Sequence, residues 1–203
     1  MDSLDQIVGP ATSLLSRVDD VLSTAGAPPD HGLWAELRRV RLLPGDAVHA
    51  VAALRAADLL DAAPELRAGA RAYAEIAGSL PPPGPWTGDA ADAYDTARRR
   101  EAERLSGTPE SLDERLEATA DLADALIDWV TQTRGDLAGT LAHVLTSAEA
   151  LELTADAPDP TASTPIRAAA DLAERILHTV AESYDLAADL LYASADLAIP
   201  LRA

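Results

Sequence analysis

The chain contains no cysteine, no phenylalanine and no lysine. Without cysteine there is no disulfide framework and no thiolate metal site. Its 16 basic residues are all arginine, and against 34 Asp and Glu they leave a net charge of −18. So acidic a chain repels phosphate backbones and anionic lipid surfaces, which argues against nucleic acid as a partner. The one basic run, Arg98-Arg99-Arg100, is flanked by Asp95, Glu101 and Glu103 and reads as a solvated helix face. No apolar run approaches the ~20 residues that a transmembrane helix needs, so direct membrane insertion is not expected. The N-terminus, MDSLDQIVGP, has neither the basic start nor the apolar core of a cleaved signal peptide. Runs of β-branched residues alternating with polar ones are also missing, so no strand is expected.

What is present is helical periodicity. Leu4, Ile7, Val8, Ala11, Leu14, Leu15, Val18, Val21 and Leu22 form a stripe over 2–25, in which Pro10 must either kink the helix or start a second piece. A short helix over about 31–43 carries Leu33, Trp34, Leu37 and Val40 on one face, with Trp34 expected as a plug over one end of the bundle. Asp46 is placed to cap a longer helix, 47–79, in which Leu59, Leu66, Tyr73 and Leu80 recur every seven residues and Pro64 should cause a bend. A helix over 89–105 follows. The SGTPES stretch after it is either a kink or a reversal, with Gly107, Thr108 and Pro109 suiting a stop and restart and Ser111 with Glu114 suiting a capping box. Residues 109–153 hold two columns: Leu112, Thr119, Leu126, Thr133, Thr140, and Leu116, Ala123, Val130, Leu137, Val144, Leu151. The second is the better core candidate. Trp129 lies beside this seam. A Pro/Ser/Thr-rich linker, 157–165, leads to a last helix, about 165–197, with Leu172, Ile176, Val180, Ala187, Leu190 and Leu197 inward.

The expected architecture is therefore all-α, an elongated antiparallel helical bundle forming a single domain over 1–203. Its parts are N-terminal helices (1–45), a helix-turn-helix hairpin (46–154), a linker (155–164) and a C-terminal helix (165–199).

No catalytic constellation accompanies it. His31, His49, His143 and His178 fall on different segments. Glu174 with His178, and Asp46 with His49, are isolated pairs of surface character, not the repeated Glu-x-x-His of a di-metal bundle. There is no phosphate-binding Gly-rich loop and no Gly-x-Ser-x-Gly. The residues point to a non-enzymatic protein with no cofactor and no metal.

One stretch stands out. In GPWTGDAADAY, residues 84–94, a Trp-x-Gly turn (Trp86, Gly88) follows the run Pro81-Pro82-Pro83 and has a helix-forming segment on each side. The bend calls for Trp86 to fold back and bury its ring between the two arms, near Tyr94 or Leu80. With Ala90, Ala91 and Tyr94 after the turn, and the Tyr-x-x-x-Asp of Tyr192 and Asp196 near the C-terminus, the chain resembles the WXG family of type VII (ESX-like) secretion substrates. The resemblance covers about residues 46–135 and the tail. It implies a helical hairpin with Trp-x-Gly at its bend, and Tyr192 with Asp196 as a secretion signal. It also implies export to the medium or cell surface without a cleaved signal peptide, and the secretion machinery as a partner. Members of that family are commonly half this length and pair with a second hairpin. This chain departs by adding helices before residue 46 and after residue 160, and by placing Tyr192 far from the turn. The added helices either supply the chain's own partner helices, leaving a monomer, or serve further assembly with a second WXG-like protein or by self-association. The alternative is a cytoplasmic helical adaptor or chaperone-like protein that binds a partner through an exposed heptad seam.

Overall fold

The computed structural model describes residues 2–154 and 162–195. It is all-α, as the periodicity predicts, and no strand occurs among the described residues. The helices among the described residues are α1 (Ser3–Ala25), α2 (Leu33–Val40), α3 (Pro44–Ala53), α4 (Ala62–Ser79), α5 (Asp89–Leu105), α6 (Leu112–Leu145), α7 (Ala148–Thr154) and α8 (Ser163–Ala193), with a 3-10 turn at Ala56–Leu59. Where the sequence suggests one domain over 1–203, the packing groups the chain into two compact units. One comprises Met1–Arg55 with Trp129–Ala188; the other comprises Ala56–Asp128 with Asp189–Ala203.

The first unit holds a core of large aliphatic side chains. Leu4, Leu15 and Val18 of α1 are sealed from solvent, as are Leu137 and Leu141 of α6 and Leu172, Ile176 and Leu177 of α8. Each such side chain contributes roughly 1.5–3 kcal/mol through burial. Pro10 neither breaks α1 nor starts a new piece. It lies on the exposed face of one continuous helix. Asp2 caps that helix by accepting from the Asp5 amide at 3.0 Å. Asp19 of α1 performs the same service for α3, accepting from the Gly45 amide at 3.1 Å. A Cβ on Gly45 would stand 2.3 Å from the Asp19 carboxylate, so only glycine permits this approach. Burial pushes the Asp19 carboxyl above its ordinary range; the Gly45 amide opposes that shift, and Asp46 and Asp20 add to it.

The most heavily bonded side chain of this unit is Arg134 of α6, which is 6% exposed. Its Nε and Nη2 donate to the Asp2 carboxylate at 2.5 and 3.0 Å, and Nη2 donates to Asp5 at 2.7 Å. Its Nη1 donates to the carbonyls of Ala52 and Leu54 at 2.7 and 3.0 Å, and more weakly to that of Val51. One guanidinium thus joins the start of α1 to the end of α3, where helix carbonyls lack partners of their own.

Short α2 lies alongside α8 and is fastened by a ladder of polar and charged pairs. Going up α2, His31 precedes the helix and faces Asp171, Glu36 meets His178 at 3.2 Å, and Arg39 meets Glu182 and Asp185 at 2.9 and 2.6 Å. Beneath the ladder Leu33 and Val40 are buried.

The second unit is built differently. Its buried apolar side chains among the described residues are all alanines: Ala63, Ala70, Ala91, Ala120 and Ala123. A fan of charge ties α4 to α6, with Arg67 reaching Asp121 and Asp124 at 2.8 Å and Glu117 at 3.5 Å. The SGTPES stretch is a true interruption. Ser106 is extended, Gly107 has φ 94°, and the helix restarts at Leu112. Ser111, fully buried, donates to the Thr108 carbonyl at 2.6 Å and also to Asp113. Burial disfavours the Asp113 charge, but bonds from Ser106, Ser111 and the Glu114 amide outweigh it and hold that carboxyl below its usual range.

Several expected boundaries are corrected. The helix placed at 47–79 is two helices with a 3-10 turn between them, and Asp46 is not its cap. Pro44 starts α3 at its first position, leaving Asp46 within the first turn. Pro64 does not bend a helix. It sits in the first turn of α4, where its missing amide proton is not needed. The helix placed at 109–153 breaks after Leu145, and Ser147 caps α7 by accepting from the Ala150 amide at 3.2 Å. That break shifts the phase of the column, so Leu151 is exposed whereas Val130, Leu137 and Val144 are buried. Trp34 is not a plug. It stands 37% exposed and donates to the Pro28 carbonyl at 2.9 Å, bracing the turn before α2. Trp129 is half-buried and donates to the Ser183 carbonyl at 2.7 Å.

Replacing Arg134 with Ala leaves Asp2, Asp5 and the α3 carbonyls without their donor. It is expected to cost about 1–3 kcal/mol in urea unfolding of the full chain, from the carbonyls left without a donor. Acid should act on the same pair. Arg134 holds the Asp2 carboxyl down at about 2 from an ordinary 3.8, against a smaller opposing effect of burial. The stability this contributes is complete above pH 3.8 and lost as the pH falls through about 2. The stability difference between the native chain and Asp2→Asn should therefore shrink across that window and be constant above it.

Candidate interaction surface

The Trp-x-Gly stretch forms the connection between α4 and α5 in the second unit. Leu80 leaves α4 with extended geometry, and the proline run keeps the chain out of helix. The Trp86 amide donates to the Pro83 carbonyl at 3.4 Å, closing a turn over Gly84, which has φ 65°. Gly88 is the N-cap of α5 with φ 94° and ψ 179°, and its carbonyl accepts from the amides of Ala91 and Asp92 at 2.9 and 3.2 Å. Open space surrounds the position where a Gly88 Cβ would lie, so glycine is required there for backbone geometry and not for room.

Trp86 is 61% exposed, contrary to the expectation that its ring is buried between the arms. The arms bury only small side chains, Ala70 on α4 and Ala91 on α5, and such a close seam has no room for an indole. The ring instead rests edge-on against Tyr94, with centroids 6.0 Å apart and planes at 84°. The expected neighbour is thus correct although the burial is not. Tyr94 is in turn held by its hydroxyl, which donates to the Pro81 carbonyl at 2.8 Å. The outcome is an aromatic pair fixed on the surface at the tip of the hairpin.

The charges around it are of two kinds. Asp95 is engaged by Arg98 and Arg99 at 2.7 and 2.5 Å, and the Arg98 hydrogen bond holds its carboxyl below the ordinary range. Asp89 and Asp92, in the first turn of α5, are exposed and have no cationic partner among the described residues. The arginine run is a solvated helix face, as its sequence suggests.

Tyr192, near the end of α8, is 80% exposed. Its sequence partner Asp196 lies outside the described residues, as does Leu197. Leu191 beside Tyr192 is also exposed, at 61%.

Sequence reasoning missed one polar cluster, in the first unit. His31, Asp171 and Glu174 approach closely enough to suggest a cation site. The hydrogen bonds argue otherwise. The Leu33 amide donates to His31 Nδ1 at 3.1 Å, which leaves the proton on Nε2, facing Asp171 at 3.0 Å. The ring's lone pair is thus already taken, and the two carboxylates flank opposite ring nitrogens, Glu174 lying 3.5 Å from Nδ1. His31 works as a structural clamp that caps α2 and pins it to α8. The pairs read from sequence are re-sorted accordingly. Glu174 faces His31 and not His178, His178 faces Glu36, and His49 is bonded to the Gly45 carbonyl at 2.7 Å. A shallow cleft of about 470 Å³ beside this clamp is lined by Glu149, Glu152, Ser163, Thr164, Arg167 and Asp171.

No protein-family model matches the chain, and neither does any curated protein or solved structure. No described helix is long and apolar enough to cross a membrane.

Trp86→Ala is expected to change the melting temperature little, in the range of a surface substitution, roughly ±0.5 kcal/mol. Gly88→Ala should cost about 1 kcal/mol or more, because alanine resists φ 94°. Thermal melts of both variants check this contrast between a bend that needs its glycine and a bend that does not need its tryptophan.

Proposed function

We propose that this is a non-enzymatic helical protein that acts through protein–protein contact. It is exported as a substrate, effector or structural component of a type VII (ESX-like) secretion system, without a cleaved signal peptide. The observation that carries this reading is the exposed Trp86, held by Tyr94 on a glycine-dependent turn. A large aromatic left in water and fixed in place suits an anchor for a partner better than it suits stability. The stretch that carries it resembles in sequence the Trp-x-Gly bend of the WXG family. The exposure of Tyr192 adds support, because a recognition residue has to be reachable in the folded chain. In this reading the partners are the secretion machinery and a second WXG-like protein or another copy.

The thin core of the second unit favours a second reading, a helical adaptor retained in the cytoplasm. Leu60 and Ile76 are 56% and 48% exposed and would be available to a partner helix whether or not the protein leaves the cell.

Fractionation separates the two. In an export-competent host the protein is expected in the culture medium. Tyr192→Ala with Asp196→Ala should lower its level there sharply while leaving the melting curve nearly unchanged. Retention of the unaltered protein in the cell pellet would favour the adaptor, and undiminished export of the folded double variant would remove Tyr192 and Asp196 as the signal.

A further inference from the structure

We infer that the Trp86–Tyr94 pair is a docking site for an arginine-bearing segment of a partner protein. The inference rests on the reading of the hairpin tip as an interaction surface, and it names the chemistry that surface selects.

The first argument is the state of the aromatic pair. An edge-on contact covers little of either ring, and Trp86 keeps 61% of its surface in solvent. The pair is nevertheless held in place, because the Tyr94 hydroxyl is bonded to the Pro81 carbonyl and the turn is set by Gly84 and Gly88. A site ordered before binding loses little conformational freedom when occupied. The free face of an indole carries the negative lobe of the ring quadrupole and attracts cations more strongly than any other side-chain ring.

The second argument is charge. Asp89 and Asp92 follow Trp86 within the first turn of α5 and have no cationic partner among the described residues, whereas Asp95, one step further on, is taken by Arg98 and Arg99. Negative charge without a counter-ion among the described residues therefore lies on the first turn of α5, the helix that carries Tyr94. A purely apolar partner would strand these carboxylates in a drier setting, and an acidic partner would be repelled. A guanidinium answers both features, since it stacks flat on an indole and binds carboxylates through two parallel N–H groups. The chain's own arginines next to the site do not fill it, because Arg98 and Arg99 face Asp95.

The test uses the full chain and a fluorescently labelled synthetic helical peptide of alanine, leucine and arginine, read by anisotropy. The control is the same peptide with glutamate in place of arginine. The arginine peptide is expected to bind and the glutamate peptide to fail. Trp86→Ala should weaken binding about tenfold or more, while Trp86→Phe retains most of it. Asp89→Asn with Asp92→Asn should weaken binding several-fold and remove most of its salt dependence. These two positions are exposed, so the result does not depend on how Trp86→Ala folds. Equal binding of the two peptides, no binding, or an Asp89→Asn/Asp92→Asn variant that binds like the parent chain would each overturn the inference. So would sedimentation showing that the site is occupied by a second copy of the chain. Export of the same variants keeps this inference apart from the proposed function. Lost export with unaltered peptide binding sinks the arginine site alone, and lost binding with normal export sinks the export role of the tip alone.

Discussion

A single guanidinium organises the larger of the two cores. Arg134 is placed among Val130, Leu137 and Leu141, on the buried stripe of α6, and would be intolerable there as an unpaired charge. Its surroundings convert that cost into a specification. Asp2 and Asp5 neutralise it, and the carbonyls at the end of α3 use its remaining donors. Because Asp2 also caps α1, the same carboxylate sets where α1 begins and where α6 lies beside it. The aliphatic side chains supply most of the stabilisation, but they are interchangeable in a way that the fork of Arg134 is not.

The second unit shows the opposite economy. A core of alanines brings helix backbones close but removes little apolar area from water, so each buried position contributes less than a leucine would. The Arg67 fan helps to hold α4 against α6, and because its carboxylates are exposed it is sensitive to salt. Meanwhile the large apolar residues of this region, Leu60, Ile76 and Trp86, stand in solvent. Other large apolar side chains, Leu66 among them, are half-buried over the alanines.

The helical class was legible because it rests on period alone, and α5 was placed to the residue since Gly88 opens it and Ser106 closes it. Where reading failed, the cause was local. Pro64 reads as a bend because it falls inside an apparent helix, yet it lies in a helix's first turn, a distinction that depends on where the preceding turn ends. Trp86 was expected inside because a bend offers a hollow, yet the depth of that hollow depends on how closely the arms pack, which alanine content implies only in hindsight. Arg134 was overlooked although its signal was present: an arginine at i+4 from Val130 and three before Leu137, on the apolar face. The clamp at His31 was not legible, since its partners lie 140 residues away in sequence.

The ladder between α2 and α8 works as a vernier. His31 reads Asp171, Glu36 reads His178, and Arg39 reads Glu182 and Asp185. Slide α2 by one turn toward the start of α8, about 5.4 Å, and the scale misreads at every mark. His31 comes opposite Arg167, Glu36 opposite Glu174, and Arg39 opposite His178. Burial of Leu33 and Val40 is non-directional and specifies the register less sharply than these pairs do. By the pairs, an eight-residue helix too short to define its own position is held to one graduation.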